Sequence, residues 1–142
     1  MKTSARNQFQ GTVTALKAGA VNDEVEIDIG QGVKIVAIVT HESAVALDLA
    51  VGRPAVALVK ASSPIVVAGD GGLRFSARNQ LSGTVSRVQA GAVNTEVEIE
   101  VAGGLHVVAI VTQESASRLG LAAGQPASAL FKASSVIVGV LS

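Results

Sequence analysis

The chain has 142 residues, 49% hydrophobic and 15% charged, with 11 basic residues balancing 11 acidic ones. Zero net charge argues against a strongly electrostatic nucleic-acid or membrane-surface binder, so an anion held here must be held by a local set of donors. With no Cys, no Trp, no Tyr and only 3 Phe, the chain lacks a thiol nucleophile, a thiolate metal site, a disulfide framework and an aromatic platform for stacked bases.

The opening Met1-Lys-Thr-Ser-Ala-Arg6 has no export-signal core, and no apolar run reaches the roughly 18 residues of a membrane span. Cytoplasmic location is the expectation.

The chain repeats itself at a constant offset of 72: Ser4 to Val67 aligns with Ser76 to Gly139 without a gap, at 40 of 64 positions identical. A unit of this size buries only about 60% of its unfolded surface. The apolar excess therefore implies further burial between repeats, between chains, or both. The repetition also turns the sequence into a two-row alignment of itself, in which retained polar residues stand out.

In chain order, Gly11 to Leu16 and Gly83 to Val88 read as Thr/Val-rich strands leading into Ala-Gly-Ala-Val-Asn turns at Ala18 to Asn22 and Ala90 to Asn94. The segments Glu24 to Ile29 and Glu96 to Val101 alternate acid with aliphatic residue, the period of a half-buried strand with its carboxylates in water. Hairpin turns at Gly30-Gln-Gly32 and Ala102-Gly-Gly104 lead to Val33–Val39 and Leu105–Val111, whose continuous β-branched character predicts strands buried on both faces. Short helices follow over Thr40–Leu49 and Thr112–Leu121, with Thr at the cap and Glu in the first turn, ended by Gly52 and Gly124. Pro54 and Pro126 open the next strands, at Ala55–Val59 and Ala127–Phe131, and Lys-Ala-Ser-Ser precedes a last short one.

Each copy reads β-β-β-α-β-β. The fold expected is mainly β: two tandem five-stranded barrels of the oligonucleotide/oligosaccharide-binding type, each with one short helix. The domains are placed at 1–68 and 74–142, joined by a flexible linker over 69–73, which holds the Gly69-Asp-Gly-Gly72 stretch.

Arg6 and Lys60, repeated as Arg78 and Lys132, are the basic residues held in both copies. They stand among hydroxyls and small neighbours, in Ser4-Ala-Arg-Asn7 and Lys60-Ala-Ser62 and in the second-copy segments Ser76–Asn79 and Lys132–Ser134. Two cations with hydroxyl and unobstructed N–H donors suit a compact tetrahedral oxyanion. Thr40 with Ser43, and Thr112 with Ser115, add hydroxyls at helix starts. The plainer reading is that the cations make surface ion pairs with Glu24, Glu42 or their equivalents and that Thr and Ser are caps.

His41 aligns with Gln113 and His106 with Lys34, so a repeated cation site is not expected. Glu42 and Glu114 have no retained acid–base partner on their segments, so catalysis is not expected. Asn22 and Asn94 are expected to hold a left-handed turn.

The motif Ser-Ala-Arg-Asn-Gln, Gly-x-Val, Glu-Val, Val-Ala-Ile-Val-Thr, an Arg-Leu-Gly-Leu helix end and Lys-Ala-Ser resembles the Mop domain. Two such domains resemble the molbindins, cytoplasmic di-Mop proteins that bind molybdate. The resemblance implies a non-enzymatic protein for molybdate or tungstate in molybdenum storage and homeostasis, with no cofactor beyond that ligand. It further implies a homotrimer with no nucleic-acid or membrane partner, whose oxyanion sites lie at interfaces between Mop domains.

The implied ligands are Ser4, Ala5, Arg6, Asn7, Lys60, Ala61 and Ser62 with Thr40 and Ser43 of a neighbouring domain. The second set is Ser76, Ala77, Arg78, Asn79, Lys132, Ala133 and Ser134 with Thr112 and Ser115. A second kind of site, near the threefold axis, is implied at Gly19, Ala20, Val21, Asn22 and His41 and at Gly91, Ala92, Val93, Asn94 and Gln113. The alternative is a molybdate-sensing effector module that acts with a separate DNA-binding chain, a reading the sequence disfavours because no helix-turn-helix precedes residue 4. A pterin-handling enzyme is a third class, which turnover of a pterin substrate would revive.

Overall fold

Residues 2–69 and 73–141 are described by a computed structural model. The centre of the expected linker, Asp70 to Gly72, lies outside the described residues.

The elements are β1 (Asn7–Lys17), β2 (Asn22–Asp28), β3 (Lys34–Thr40), α1 (His41–Ala46), β4 (Pro54–Val59) and β5 (Ile65–Ala68), followed by β6 (Asn79–Ala90), β7 (Asn94–Ala102), β8 (Leu105–Thr112), α2 (Gln113–Leu119), β9 (Pro126–Phe131), a 3-10 turn at Ala133–Ser135 and β10 (Ile137–Gly139). The β-β-β-α-β-β order of each repeat is as the sequence predicts, apart from the extra turn in the second.

The strands form two all-antiparallel sheets, ordered β10-β4-β1-β2-β3 and β5-β9-β6-β7-β8. The sequence repeats are therefore not the compact units. One unit comprises residues up to Lys60 together with those from Lys132 onward, and the other comprises Ala61–Phe131. The fifth strand of each repeat is built into the sheet of the other: Ile137–Gly139 runs beside Leu58–Val56, and Ile65–Ala68 beside Leu130–Ala127. A hydrophobic edge strand gains its hydrogen bonds equally well from either homologous sheet, so periodicity gives no sign of the exchange.

In each unit the outer strands approach one another, β10 toward β3 and β5 toward β8, which curls the sheet toward a barrel. The first unit's core holds Val13, Val25, Ile27, Ile35, Ala37, Ala57 and Val59, each at most 1% exposed, with Val85, Val97, Ile99, Val107 and Ala109 in the second. These are the alternate positions of each strand, as a period of two requires.

Of the strands expected to be buried on both faces, β3 is buried on one, whereas β8 buries Val107, Val108 and Ala109 in succession. In β3, Ile35 and Ala37 are buried, while Val36, Ile38 and Val39 remain half-exposed. The second face of β3 is apolar but only partly covered within the chain. β1 and β6 each carry an irregularity, at Val13/Ala15 and Val85/Arg87, which bends these long strands. Gly11 and Gly83 sit against the crossing chain, where an added Cβ would come within 2.2 Å of the Asp28 carbonyl oxygen and 2.0 Å of that of Glu100.

Candidate functional site

In the first unit, Asn7 opens β1 opposite Val59, the last residue of β4, so the Ser4–Arg6 segment and Lys60 leave the same end of a strand pair. Asn79 is likewise opposite Phe131 in the second unit, one residue before Lys132. Arg6, Lys60 and Arg78 are exposed.

Two residues that sequence reasoning left out of the site shape this segment. The Gln8 side-chain amide donates to the Ala5 carbonyl at 2.7 Å and the Thr3 carbonyl at 3.2 Å, and Gln80 does the same to Ala77 at 3.0 Å and Phe75 at 2.8 Å. Each glutamine ties back the residues before its strand, holding Arg6 or Arg78 on a defined curve. Their retention in both repeats was the available signal. Asn7 and Asn79, each 1% exposed, have their side chains inside the protein, and among the described residues no buried side-chain polar atom lacks a partner. These asparagines anchor the segment from inside the protein, while Ser4, Arg6, Ser76 and Arg78 beside them are exposed.

The Lys-Ala-Ser segments lie at the crossover between units. Ala61 and Ala133 are buried and Ser62 and Ser134 exposed. The Ala61 carbonyl accepts from Ile110 N–H of β8 at 2.8 Å, fixing this segment inside the second unit. Lys132–Ser134 belongs to the first unit, where the 3-10 turn packs against β3.

Thr40 and Thr112 cap their helices. The Thr40 hydroxyl accepts from Ser43 N–H at 3.1 Å and donates to Ser43 Oγ at 2.7 Å, and Thr112 relates to Ser115 in the same way at 3.1 and 2.8 Å. The capping reading therefore holds, and each serine hydroxyl still has its own proton to donate outward. Within one unit these hydroxyls do not meet the Arg6 segment. Thr40 pairs with Asn22 beyond the far end of β1, on the order of 30 Å along the strand from Asn7.

At the Ala-Gly-Ala-Val-Asn turns, Asn22 and Asn94 are not left-handed, contrary to expectation: they open β2 and β7 and are absent from the residues of positive φ. The tightness falls on the glycines instead. An added Cβ at Gly19 or Gly91 would lie 2.3 or 2.6 Å from the carbonyl oxygen of Asn22 or Asn94.

Behind each turn a buried strand residue bonds to the first residue of the helix, exposed in His41 and half-exposed in Gln113. Asp23, 3% exposed, accepts from Gly19 N–H at 3.0 Å and lies 3.0 Å from His41 Nδ1 through both carboxylate oxygens. The Gly19 N–H, aided by His41 and opposed by burial, holds the Asp23 carboxyl below the usual carboxylate range. Its counterpart Thr95, 1% exposed, donates to Gln113 Oε1. His41 N–H and Gln113 N–H donate to the Val21 and Val93 carbonyls at 2.8 and 2.9 Å, which ties helix start to turn. His106 sits elsewhere, 3.9 and 3.8 Å from Glu98 and Glu100, where the first repeat has a Lys34–Glu26 pair at 3.4 Å. Among the described residues no cluster of three His, Asp or Glu is arranged to hold a metal ion.

A family model described as TOBE domain matches residues 3–66 and 76–138. The molybdenum transport proteins ModE of Azotobacter vinelandii and Herbaspirillum seropedicae are 46% and 44% identical over 99% of the chain, and the molybdenum-pterin-binding protein MopA of Rhodobacter capsulatus is 44% identical. The chain spans about half the length of these curated relatives, 52–53%. The molybdate-bound crystal form of the cytoplasmic molybdate-binding protein ModG superposes with a TM-score of 0.95 at 52% identity, covering 99% of this chain and 100% of that one. The tandem barrel fold and the Mop resemblance expected from sequence are borne out by these matches.

Proposed function

The chain belongs to the TOBE domain family, and from that premise we propose that it is a non-catalytic cytoplasmic protein that binds molybdate or tungstate for molybdenum storage and homeostasis. The observation that carries this reading is the duplicated end of the β1–β4 strand pair, where Arg6 and Lys60 leave together and Gln8 curls the segment between Ala5 and Asn7. It is repeated at Arg78, Asn79 and Gln80, on a chain 52% identical to ModG with molybdate bound.

In this reading the dianion sheds water and is held by charge-assisted hydrogen bonds from Arg6 and Lys60, the Ser4 and Ser62 hydroxyls and the backbone at Ala5, Asn7 and Ala61. Thr40 and Ser43 come from a neighbouring domain, because one unit keeps them at the wrong end of its strand. The second set uses Ser76, Ala77, Arg78, Asn79, Lys132, Ala133, Ser134, Thr112 and Ser115 alike. Sulfate has the same charge but a smaller radius, so a cage of fixed size leaves it with overlong bonds. The half-covered apolar face of β3 and the exposed Val21, Val45, Val93 and Ile137 support association of chains, a homotrimer in this reading. The second kind of site is assigned to the Gly19–Asn22 and Gly91–Asn94 turns with His41 and Gln113.

Calorimetric titration of molybdate, tungstate and sulfate into wild type and the Arg6→Ala/Arg78→Ala variant tests this, with mass followed by light scattering. Micromolar or tighter molybdate binding, weak sulfate binding, and loss of the tight class in a variant of unchanged mass are the expected results. Absence of heat and of any thermal shift with molybdate would refute the reading.

One observation favours a second reading: the chain matches about half of the ModE proteins. In it the same binding unit senses molybdate and acts with a separate DNA-binding chain. Molybdate-dependent capture of such a chain would distinguish this from storage.

A further inference from the structure

We propose that Gln8 and Gln80 are positioning residues for the oxyanion, and that their grip on the backbone before β1 and β6 sets the discrimination between molybdate and sulfate. This rests on the molybdate reading above and concerns what gives its Arg6 and Arg78 segments a fixed shape. The arrangement is the same in both repeats. One side-chain amide donates to two backbone carbonyls, three and five residues back: Ala5 at 2.7 Å and Thr3 at 3.2 Å from Gln8, Ala77 at 3.0 Å and Phe75 at 2.8 Å from Gln80. An amide nitrogen carries two protons, one for each carbonyl. Position 3 is Thr and position 75 is Phe, so the grip depends on the backbone and not on the side chain there.

The consequence is a polarity in the segment. Among the described residues no peptide bond is cis, and across a trans peptide the carbonyl and the following N–H point in opposite directions. With the carbonyls of Thr3 and Ala5 drawn to Gln8, the N–H groups of Ser4 and Arg6 point away from it, and those of Ser76 and Arg78 point away from Gln80. An oxyanion on that side meets N–H ends and not carbonyl oxygens, which would repel it.

The base of the clamp is rigid. Gln8 pairs with Leu58 and Gln80 with Leu130 in the strand ladders, and the neighbouring Asn7 and Asn79 are buried. A segment held at two carbonyls by a residue of the sheet keeps its curve when the ligand changes, so it does not close onto a smaller dianion. Released from the amide, the same segment is free to contract around sulfate. The loss therefore shows in discrimination between the two anions as well as in affinity.

Donor removal and donor rescue test the inference. Gln8→Met/Gln80→Met removes the donors at nearly the same side-chain length, and Gln8→Lys/Gln80→Lys restores donors to the same carbonyls. Sodium molybdate and sodium sulfate are titrated by calorimetry into wild type and both variants, and the unfolding temperature of each is measured without ligand. In the Met variant the ratio of molybdate to sulfate affinity is expected to fall about tenfold, the effect of one or two lost hydrogen bonds. The charge added in the Lys variant strengthens two dianions of equal charge alike, so its ratio is expected to stay near that of wild type. Gln10→Leu, exposed and next along the same face of β1, is expected to leave both affinities unchanged. If the double Met variant does not fold, the single variants give the same comparison at one segment each. Gln8→Met is then expected to have the larger effect, because the bond from Gln8 to Ala5 is partly buried and that from Gln80 to Ala77 is exposed.

Met variants that unfold at lower temperature yet keep the wild-type affinity ratio would overturn the proposal, leaving the glutamines as ties in the fold and the Arg6 site standing. A ratio lost equally in the Lys variant would also overturn it, since donation to the carbonyls would not be the cause. Absence of molybdate binding in wild type would overturn the molybdate reading and the proposal with it.

Discussion

At the scale of single residues, Asp23 is the least expected feature: a carboxylate on the buried face of a strand whose other acids, Glu24, Glu26 and Asp28, are half in water. Two consecutive acids at 23 and 24 fall on opposite faces of β2, and reading only the Glu-Val-Glu-Ile alternation hides the first of them. Its depressed pKa links it to stability with a definite sign. A carboxyl whose folded value lies below its unfolded value contributes stability that is present above the unfolded value and lost as pH falls through the folded one. Denaturant unfolding of wild type and Asp23→Asn should therefore show a constant stability difference from neutral pH to about pH 5, shrinking as acidity passes the ordinary carboxylate range. A difference independent of pH down to about pH 2 would mean that folding does not lower the Asp23 pKa.

At the scale of elements, β1 and β6 organise their units, since each pairs with two neighbours and carries the arginine segment at its start. Their Gly-x-Val motif marks where the strand passes a crossing carbonyl. Gly83→Ala places a Cβ 2.0 Å from the Glu100 backbone oxygen, which no rotation of a side chain can relieve. A loss of about 2 kcal/mol or more is expected from urea unfolding, because the strand must shift or its pairing must open. Ser82→Ala, next in sequence but exposed, should cost less than about 0.5 kcal/mol. Strand existence, helix position and the β-β-β-α-β-β order were legible in the sequence because alternation and capping are local signals. The strand starts were placed several residues late, since Asn7–Gln10 and Asn79–Ser82 are polar-rich and were read for chemistry rather than for pairing.

At the scale of the molecule, the exchange of fifth strands makes a prediction that no repeat alignment contains. Removing residues 136–142 deletes part of the second repeat, yet β10 belongs to the sheet of the first unit. Hydrogen exchange should show lost protection in β4 and in β3, with β6–β9 retaining theirs. Loss confined to β9 and β6 would instead mean that each repeat closes on its own strand.

Much of this protein follows from its sequence alone. A gapless offset of 72 establishes the duplication, a period of two the strands, Thr-x-x-Ser the helix caps, and the retained Arg and Lys the candidate anion donors. All are statements about neighbours along the chain or about identity between copies. Tertiary structure decided what sequence spacing does not encode: that β5 and β10 change places, that Thr40 and Arg6 of one unit stand at opposite ends of β1, and that Asp23 and His41, like Thr95 and Gln113, touch across β2 and α1 or β7 and α2. Two homologous sheets offer a fifth strand nearly equal partners, so only chain geometry selects between them. A pair 18 residues apart becomes a pair only when two strands align in register.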